Sequence, residues 1–248
     1  MTPGRLEVVW LPTELDTVPV ARRSFLVIDV IRATTSIATA LAAGASRVIT
    51  VGSVAAGRAL AGGGGLLCGE RGGRPPDGFD LGNSPGDFGP ERVRGRTLIF
   101  TTTNGTAAVE AVRGGRGVRL ACFRNAGAAA AWLVRAGSEG PVTIVCAGRN
   151  GRIGMDDAWC AGHLVDRVAS ARTGPTLGEG ARVARAVARD LGTPTASALA
   201  RTAAGRALRK IGLDGDLVLC AAVDDLDVVP VLREDAFVTG GEEDVDVG

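Results

Sequence analysis

The chain has 248 residues, with 28 basic and 27 acidic side chains and a formal net charge of +1. This near neutrality gives no electrostatic case for binding nucleic acid or a membrane surface, so we expect a small-molecule partner. The hydrophobic content of 46% is ample for a large core and excludes general disorder. The five cysteines lack CxxC spacing, and no leader pattern or membrane-spanning apolar run is found, so we expect a cytoplasmic protein.

Apolar runs alternate along the chain with Ala-rich stretches of helical length, which is typical of an α/β fold with a largely parallel sheet. Strands are predicted, in chain order, at residues 6–10, 24–29, 47–51, 66–68, 97–100, 119–123, 142–146, 217–221 and 228–232. Helices are predicted at residues 35–43, 54–61, 106–113, 126–136, 157–170, 177–191 and 195–211.

We predict one α/β domain over residues 1–239, followed by an acidic tail at 240–248. Residues 25–61 and 98–133 share an order of strand, Thr-rich turn, Ala-rich helix, strand and helix, which indicates two related β-α-β halves and an internal duplication. Residues 69–96 lack an apolar period and are predicted to form an ordered functional loop.

Polar residues that follow a predicted strand are the first candidates for the site, because ligands of parallel α/β sheets bind beyond the carboxyl ends of the strands. Asp29 ends the second strand, and Arg32, Thr34 and Thr35 follow it. A helix start presents free N–H groups that suit a phosphate or sulfonate, although either threonine could be only an ordinary cap. A buried carboxylate is costly unless it is paired, so Asp29 is expected to meet a cation or a metal.

Two further loops follow predicted strands in the same way. Glu70 and Arg71 offer a carboxylate beside an anion clamp, or a mere surface ion pair. The Thr-rich turn at 101–106 favours a nest of N–H groups around an anion, or a capped turn without a ligand. Asn125 ends the next strand similarly, and is as often only a cap.

The stretch from Cys146 to Arg152 has the C-x₅-R spacing of phosphatases that use a thiolate nucleophile. The residues that follow do not look like the helix start that such a loop needs, which favours a core cysteine. Asp156 and Asp157 could bind Mg²⁺ together with oxygens of the other loops, or only favour the helix dipole.

These motifs extend along most of the chain. They comprise 27–35, 69–72, 78–85, 101–106, 146–148, Asp157, 160–162 and 228–230. In this combination the sequence strongly resembles the 2-phosphosulfolactate phosphatase family.

The resemblance implies a three-layer α/β/α fold and Mg²⁺-dependent hydrolysis of 2-phospho-3-sulfolactate to 3-sulfolactate and phosphate, a step of coenzyme M biosynthesis. Asp29, Glu70 and Asp157 are expected around the metal, and Asp29, Arg32 and Glu70 are expected in catalysis. The residues expected to bind this small anionic phosphoester are Arg32, Thr34, Thr35, Arg71, Thr103, Asn104, Gly105, Thr106, Asn125 and Gly148. Asp156 departs from the family, which tends to have the longer Glu there, so it is assigned no role.

Two alternatives stay open at this point: a thiolate phosphatase that uses Cys146 and Arg152, and a non-catalytic protein that binds small anions. For the metal-dependent enzyme we favour attack by metal-activated water over a phosphoenzyme formed on Asp29. Apolar helices such as residues 126–134 leave room for a homodimer interface.

Overall fold

A computed structural model describes residues 4–16, 18–171 and 173–240 of the chain. The strands are β1 (Arg5–Val9), β2 (Ser24–Ile28), β3 (Arg47–Thr50), β4 (Leu66–Gly69), β5 (Thr97–Thr101), β6 (Gly117–Ala121), β7 (Val142–Cys146), β8 (Thr176–Leu177), β9 (Pro230–Arg233) and β10 (Ala236–Thr239). Within the described residues they form one sheet in the order β4-β5-β3-β10-β9-β6-β2-β7-β1-β8.

Helices connect most of these strands. They are α1 (Ala33–Ala42), α2 (Val54–Ala61), α3 (Pro90–Val93), α4 (Gly105–Ala111), α5 (Ala126–Glu139), α6 (Met155–Ala169), α7 (Glu179–Leu191), α8 (Ala196–Leu199), α9 (Ala203–Lys210) and α10 (Asp216–Ala221). In the part of the chain that the structure describes, none of them is both long and apolar enough to cross a membrane.

The sheet consists of two parallel blocks that run in opposite directions. Strands β4, β5 and β3 form one block, and β6, β2, β7, β1 and β8 form the other. Between them, the β9–β10 hairpin pairs antiparallel with β3 on one side and with β6 on the other. The successive antiparallel pairings reverse the direction of the second block, whereas the sequence pattern indicated only a largely parallel sheet.

Helices cover both faces of the sheet, which confirms the three-layer α/β/α prediction. Phe25 and Val27 of β2 pack in one core cluster with α1 and α4, while Leu26 and Ile28 pack in a second cluster with α5 and α6. A strand that is buried on both faces has a continuous apolar sequence, which is why β2 was readily recognised.

Two element predictions near the end of the chain were wrong. Residues 217–221 form helix α10 rather than a strand, and Leu217, Cys220 and Ala221 are buried at helical spacing. The single helix predicted at 195–211 is divided into α8 and α9, because the side chain of Thr202 caps α9 by accepting a hydrogen bond from the N–H of Gly205. The short strands β8 and β10 were not predicted.

The loop predicted at residues 69–96 is ordered and includes α3. Leu81 and Phe88 are buried and anchor it to the core, whereas Phe79 is only half-buried. The two stretches proposed as duplicated each contain a strand, a helix, a strand and a helix, and their common origin stays a prediction. The predicted acidic tail, apart from Gly240, lies outside the described residues.

Candidate active site

The loops that follow β2, β4, β5 and β7 meet around one cavity of about 180 Å³. The side chains that give its wall its polar character are Asp29, Arg32, Glu70, Thr103, Asn104 and Arg149. Helix α9 and the residue after it close another side of the cavity with apolar side chains, Leu208 and Ile211 among them. A smaller adjoining cavity is lined by Asp29, Asn104, Gly148, Asp156 and Asp157.

Several residues that were expected to bind substrate are absent from the walls of these two cavities. They are Thr34, Thr35, Arg71, Gly105, Thr106 and Asn125. Their contacts with the protein show what they do in the fold, and their contact with substrate stays a prediction.

The two threonines after β2 hold the turn that presents Asp29. The hydroxyl of Thr34 accepts a hydrogen bond from the N–H of Asp29 at 3.1 Å and donates one to its carbonyl oxygen at 2.9 Å. The hydroxyl of Thr35 donates to the carbonyl oxygen of Val30 at 2.8 Å. Both threonines are buried, and the peptide bond between Ile31 and Arg32 is cis.

Gly105 allows the start of α4 to approach the Asp29 carboxylate. A Cβ atom at this position would lie 2.5 Å from the Cβ of Ala33 and 2.7 Å from Oδ2 of Asp29. These distances are too short for any side chain, so glycine here brings the loop after β5 against the loop after β2. The role of Gly105 in the fold is therefore close approach of the backbone.

Glu70 joins the loops after β4 and β5. One of its carboxylate oxygens accepts a hydrogen bond from the N–H of Gly73 at 2.7 Å, and the other accepts one from the N–H of Thr103 at 2.8 Å. Arg71 strengthens the same junction, because it donates to the hydroxyl of Thr101 at 2.8 Å. Glu70 still borders the cavity, whereas Arg71 faces this inter-loop contact.

Thr106 and Asn125 also bond to nearby backbone. The Thr106 hydroxyl donates to the carbonyl oxygen of Thr102 at 2.8 Å. Asn125 accepts a hydrogen bond from the N–H of Cys122 at 2.9 Å and donates to the carbonyl oxygen of Val228 at 2.8 Å. Asn125 therefore fixes the turn after β6 and the approach to β9.

Asp157 joins the loops after β2 and β7 in the way that Glu70 joins the other two. Its Oδ1 accepts a hydrogen bond from the N–H of Val30, and its Oδ2 accepts one from the N–H of Gly148, both at 2.9 Å. Asp156 is buried beside it in the first turn of α6, where the positive end of the helix dipole favours a carboxylate. Asp156, where the family tends to have the longer Glu, thus lies in the wall of the smaller cavity.

Burial raises the pKa values of all three aspartates at this end of the site. The pKa of Asp29 is raised to about 7, first by burial and then by the negative charges of Asp156 and Glu70. Burial raises the pKa of Asp156 to about 6, against the opposing effect of Arg149. The pKa of Asp157 lies well above its usual range, because of burial and the charges of the other two aspartates. The cluster therefore attracts protons or a cation.

No group of three or more His, Cys, Asp or Glu side chains among the described residues lies close enough together to hold a metal ion. The expected set of Asp29, Glu70 and Asp157 is therefore not gathered into one centre, and each oxygen of Glu70 and of Asp157 already accepts a backbone hydrogen bond. The carboxylates with the least committed oxygens are those of Asp29 and Asp156. Mg²⁺ commonly takes one or two protein carboxylates together with water and phosphate oxygens, so these residues fit that ion.

Arg32 is buried and its guanidinium is bound on several sides. Its Nη1 donates to Oδ2 of Asp216 at 2.7 Å and to the hydroxyl of Ser84 at 3.1 Å, and its Nη2 donates to the carbonyl oxygen of Gly73 at 2.7 Å. Asp216 was missed from the sequence because it lies 184 residues away and directly precedes the segment wrongly predicted as a strand.

Arg149 is a half-buried residue of both cavity walls that the sequence reasoning did not assign to the site. Its backbone pairs with that of Arg152 through hydrogen bonds of 2.8 Å and 3.0 Å, around Asn150 and Gly151, whose φ values are 50° and 70°. This is a two-residue type I′ turn, for which the Asn-Gly pair is the strongest sequence signal. The N–H of Asn150 also donates to Oδ1 of Asn104 at 3.2 Å, which fixes the turn beside the cavity.

The structure does not support a thiolate nucleophile at Cys146. This thiol is buried, and burial together with the charge of Asp157 raises its pKa well above the usual range. Arg152 is exposed and lies outside the walls of both cavities. A thiolate phosphatase needs the opposite arrangement, a low-pKa cysteine beside a cation.

Comparison with known proteins shows the family of this chain. A family model described as 2-phosphosulpholactate phosphatase matches residues 11–235. The probable 2-phosphosulfolactate phosphatase of Thermus thermophilus is 44% identical over 214 residues, which cover 84% of this chain and 87% of the relative. The protein of the same description from Thermotoga petrophila is 36% identical over 220 residues, with 89% and 93% covered. The chain therefore belongs to the 2-phosphosulfolactate phosphatase family.

Proposed function

We propose that this protein is a phosphatase that hydrolyses 2-phospho-3-sulfolactate to 3-sulfolactate and phosphate. The observation that carries the proposal is the convergence of four of the family's motifs, at residues 27–35, 69–72, 78–85 and 101–106, on one cavity, where Asp29, Arg32 and Glu70 lie in the same wall. Membership of the family identifies the reaction as hydrolysis of a phosphoric monoester. We also propose that the reaction belongs to coenzyme M biosynthesis and takes place in the cytoplasm.

Mg²⁺ is the proposed cofactor, with Asp29 and Asp156 as the carboxylates that would hold it. Their burial and raised pKa values support this choice, and among the described residues the Asp29 carboxylate accepts only one long hydrogen bond, at 3.3 Å from the N–H of Ala33. A metal ion held there would neutralise the charge on the phosphoryl oxygens. Glu70 and Asp157 are expected from the sequence to be metal ligands. They would instead hold the four loops together through their hydrogen bonds from backbone N–H groups.

The protein's own groups would orient the substrate and limit the access of water. Arg32, held by Asp216, fixes the shape of the wall. Asn104 is polar and borders both cavities, so it could bind an oxygen of the phosphoryl group. Leu208 and Ile211 form an apolar boundary that would exclude bulk water from the reacting end of the substrate. Attack by a single water is the favoured route.

The test is phosphate release from 2-phosphosulfolactate and from a panel of small phosphomonoesters, with Mg²⁺ and with excess chelator. We expect selective release that the chelator abolishes. Asp156→Asn should remove it, whereas Asp166→Asn, a change on the same helix at an exposed ion pair with Arg185, should not. Release that persists in chelator would overturn the metal proposal. Binding of 3-sulfolactate without turnover under any metal condition would make the protein a non-catalytic anion binder.

A further inference from the structure

Two arginines border the main cavity, and they differ in how much of their hydrogen-bonding capacity the protein already uses. The Arg32 guanidinium is paired with Asp216 at 2.7 Å and bonded to Ser84 and Gly73, with its side chain 2% exposed. A buried guanidinium with a carboxylate partner contributes little net charge to a ligand beside it. Arg32 is thus a fixed part of the wall rather than an open anion site.

Arg149 has no such partners. Within the described part of the chain its guanidinium forms no salt bridge or hydrogen bond, and its charge is felt by Asp156 only at longer range. It lies in the wall of the main cavity and in the wall of the smaller one that holds Asp156 and Asp157. The turn that bears it is fixed at Asn104, so the side chain can move while its starting point stays beside the cavity.

The charges of the substrate and of the site make an available cation necessary. The proposed substrate has a phosphoryl group, a carboxylate and a sulfonate, and the carboxylate end of the cavity repels any of them that no cation neutralises. At that end, the proposed metal would neutralise the charge of the reacting phosphoryl group. A second anionic group then needs a cation outside the aspartate cluster, and a guanidinium suits it because its donors match carboxylate and sulfonate oxygens in pairs.

We infer that Arg149 binds an anionic group of the substrate that does not react, its sulfonate or its carboxylate, and thereby selects a doubly substituted phosphoester over simple phosphomonoesters. The inference rests on the proposed function for the identity of the substrate. It assigns to Arg149 the discrimination between substrates, and it leaves the hydrolytic step to the carboxylate end of the cavity.

The test measures kcat/KM of the wild type and of Arg149→Ala on three substrates. These are 2-phosphosulfolactate, 2-phospholactate, which lacks the sulfonate, and the phosphate ester of 2-hydroxyethanesulfonate, which lacks the carboxylate. On the full substrate we expect a loss of about 10- to 100-fold, mostly in KM, as for a charge-assisted hydrogen bond. On the analogue that lacks the group held by Arg149, the same change should have no effect. Arg149→Lys should restore part of the loss.

Arg152→Ala is the matched control, because it removes the same charge from an exposed position of the same turn. It should leave all three values unchanged, and an equal loss in this variant would attribute the effect to general charge. Equal losses for Arg149→Ala on all three substrates, or no loss on the full substrate, would also overturn the inference.

A binding measurement separates this inference from the proposed function. Calorimetric titration with 3-sulfolactate needs no turnover, and we expect weaker binding by Arg149→Ala than by the wild type, with inorganic phosphate bound equally by both. Equal affinity of the two proteins for 3-sulfolactate would overturn the inference, whether or not either protein hydrolyses the phosphoester. Failure of the wild type to release phosphate, with the difference in binding intact, would count against the proposed function alone.

Discussion

Arg32 borders the main cavity and the three aspartates border the smaller cavity beside it, and the two groups differ in how their buried charges are neutralised. Arg32 has a carboxylate partner at 2.7 Å and two further hydrogen-bond acceptors. Asp29, Asp156 and Asp157 are also buried, but none of them has a salt-bridge partner among the described residues, and burial raises the pKa of each. One charge is neutralised by the fold, and the others remain to be neutralised by something that binds.

This difference separates structural from functional residues better than burial does. A buried ion pair with satisfied donors holds elements together, and its loss is felt as instability. Buried like charges without a partner destabilise the fold and are retained where chemistry needs them. By this measure Arg32 and Asp216 build the wall, whereas Asp29 and Asp156 act on the ligand.

The largest expected effect is at Asp29. Asp29→Asn should lower phosphate release by about 10²- to 10³-fold, because it removes a charge that would hold the metal. The same change should raise the free energy of unfolding of the metal-free protein at pH 8, by on the order of 2 kcal/mol, since the ionised carboxylate is buried there. Phosphate assays and urea unfolding measure the two effects. An Asp29→Asn variant that is active and no more stable than the wild type would show that Asp29 does not act on the ligand.

Breaking the Arg32–Asp216 ion pair should lower the stability of the protein rather than raise it. Asp216→Ala leaves the Arg32 charge buried without its partner and should lower the free energy of unfolding by about 3 kcal/mol. Asp225→Ala is the control, because its pair with Arg124 has the same 2.7 Å separation, although the Asp225 side chain is 42% exposed rather than 12%. That control should cost about 1 kcal/mol or less. Equal losses in the two variants would show that the burial of the pair is unimportant.

The metal-free protein should become less stable as pH rises. The pKa values of Asp29 and Asp156 are about 7 and about 6, above their usual value of 3.8, so the folded state keeps protons that the unfolded state has released. Stability is therefore highest at and below pH 4 from these groups and falls as pH rises through 6 and 7. His163, whose pKa is lowered by burial, acts in the opposite sense. The quantity to measure is thus the slope of the wild type minus that of the Asp29→Asn/Asp156→Asn double variant, with chelator present.

Added Mg²⁺ should remove that slope in the wild type and leave the double variant unchanged. A cation that neutralises Asp29 and Asp156 would make these buried charges behave like the Arg32–Asp216 pair. A difference of zero between the two slopes without metal, or one of opposite sign, would contradict the assignment.

The smallest effect is expected at Cys146, a buried group near the cluster that remains uncharged. Cys146→Ala should retain phosphate release within about threefold and lose on the order of 1 kcal/mol of stability, the cost of a small cavity. Complete inactivation of a folded Cys146→Ala protein would revive the thiolate mechanism. Circular dichroism and thermal unfolding provide the folding control.

The sequence was sufficient for the parts of the site that follow strands directly. Asp29, Glu70, Thr103 and Asn104 all come just after a β-strand, where the general rule for parallel sheets places ligand-binding residues. Because the block of β4 and β5 runs opposite to that of β2, this rule does not by itself bring their loops together. The same reasoning overestimated the number of direct ligands. Glu70 and Asp157 have the right chemistry, but their hydrogen bonds to distant backbone N–H groups cannot be deduced from local spacing.

The residues that were missed depend on contacts between distant segments. Asp216 reaches Arg32 across most of the chain, and α9 closes the cavity from a region with no polar motif. Residues 217–221 were read as a strand because a short apolar run has no distinct period. Arg149 was the exception, since the Asn-Gly pair beside it signals a tight hairpin turn that could have directed attention to it.

The β9–β10 hairpin has a consequence for the order in which the chain can fold. Its strands come last among the described strands, yet they lie in the middle of the sheet and join its two blocks. A fragment that ends before Pro230 would contain both blocks without the pair that connects them. Because pairing of distant segments is slow, final assembly of the sheet should wait for the whole chain. The earlier strands would meanwhile expose unpaired edges, which makes this stage the one most open to aggregation.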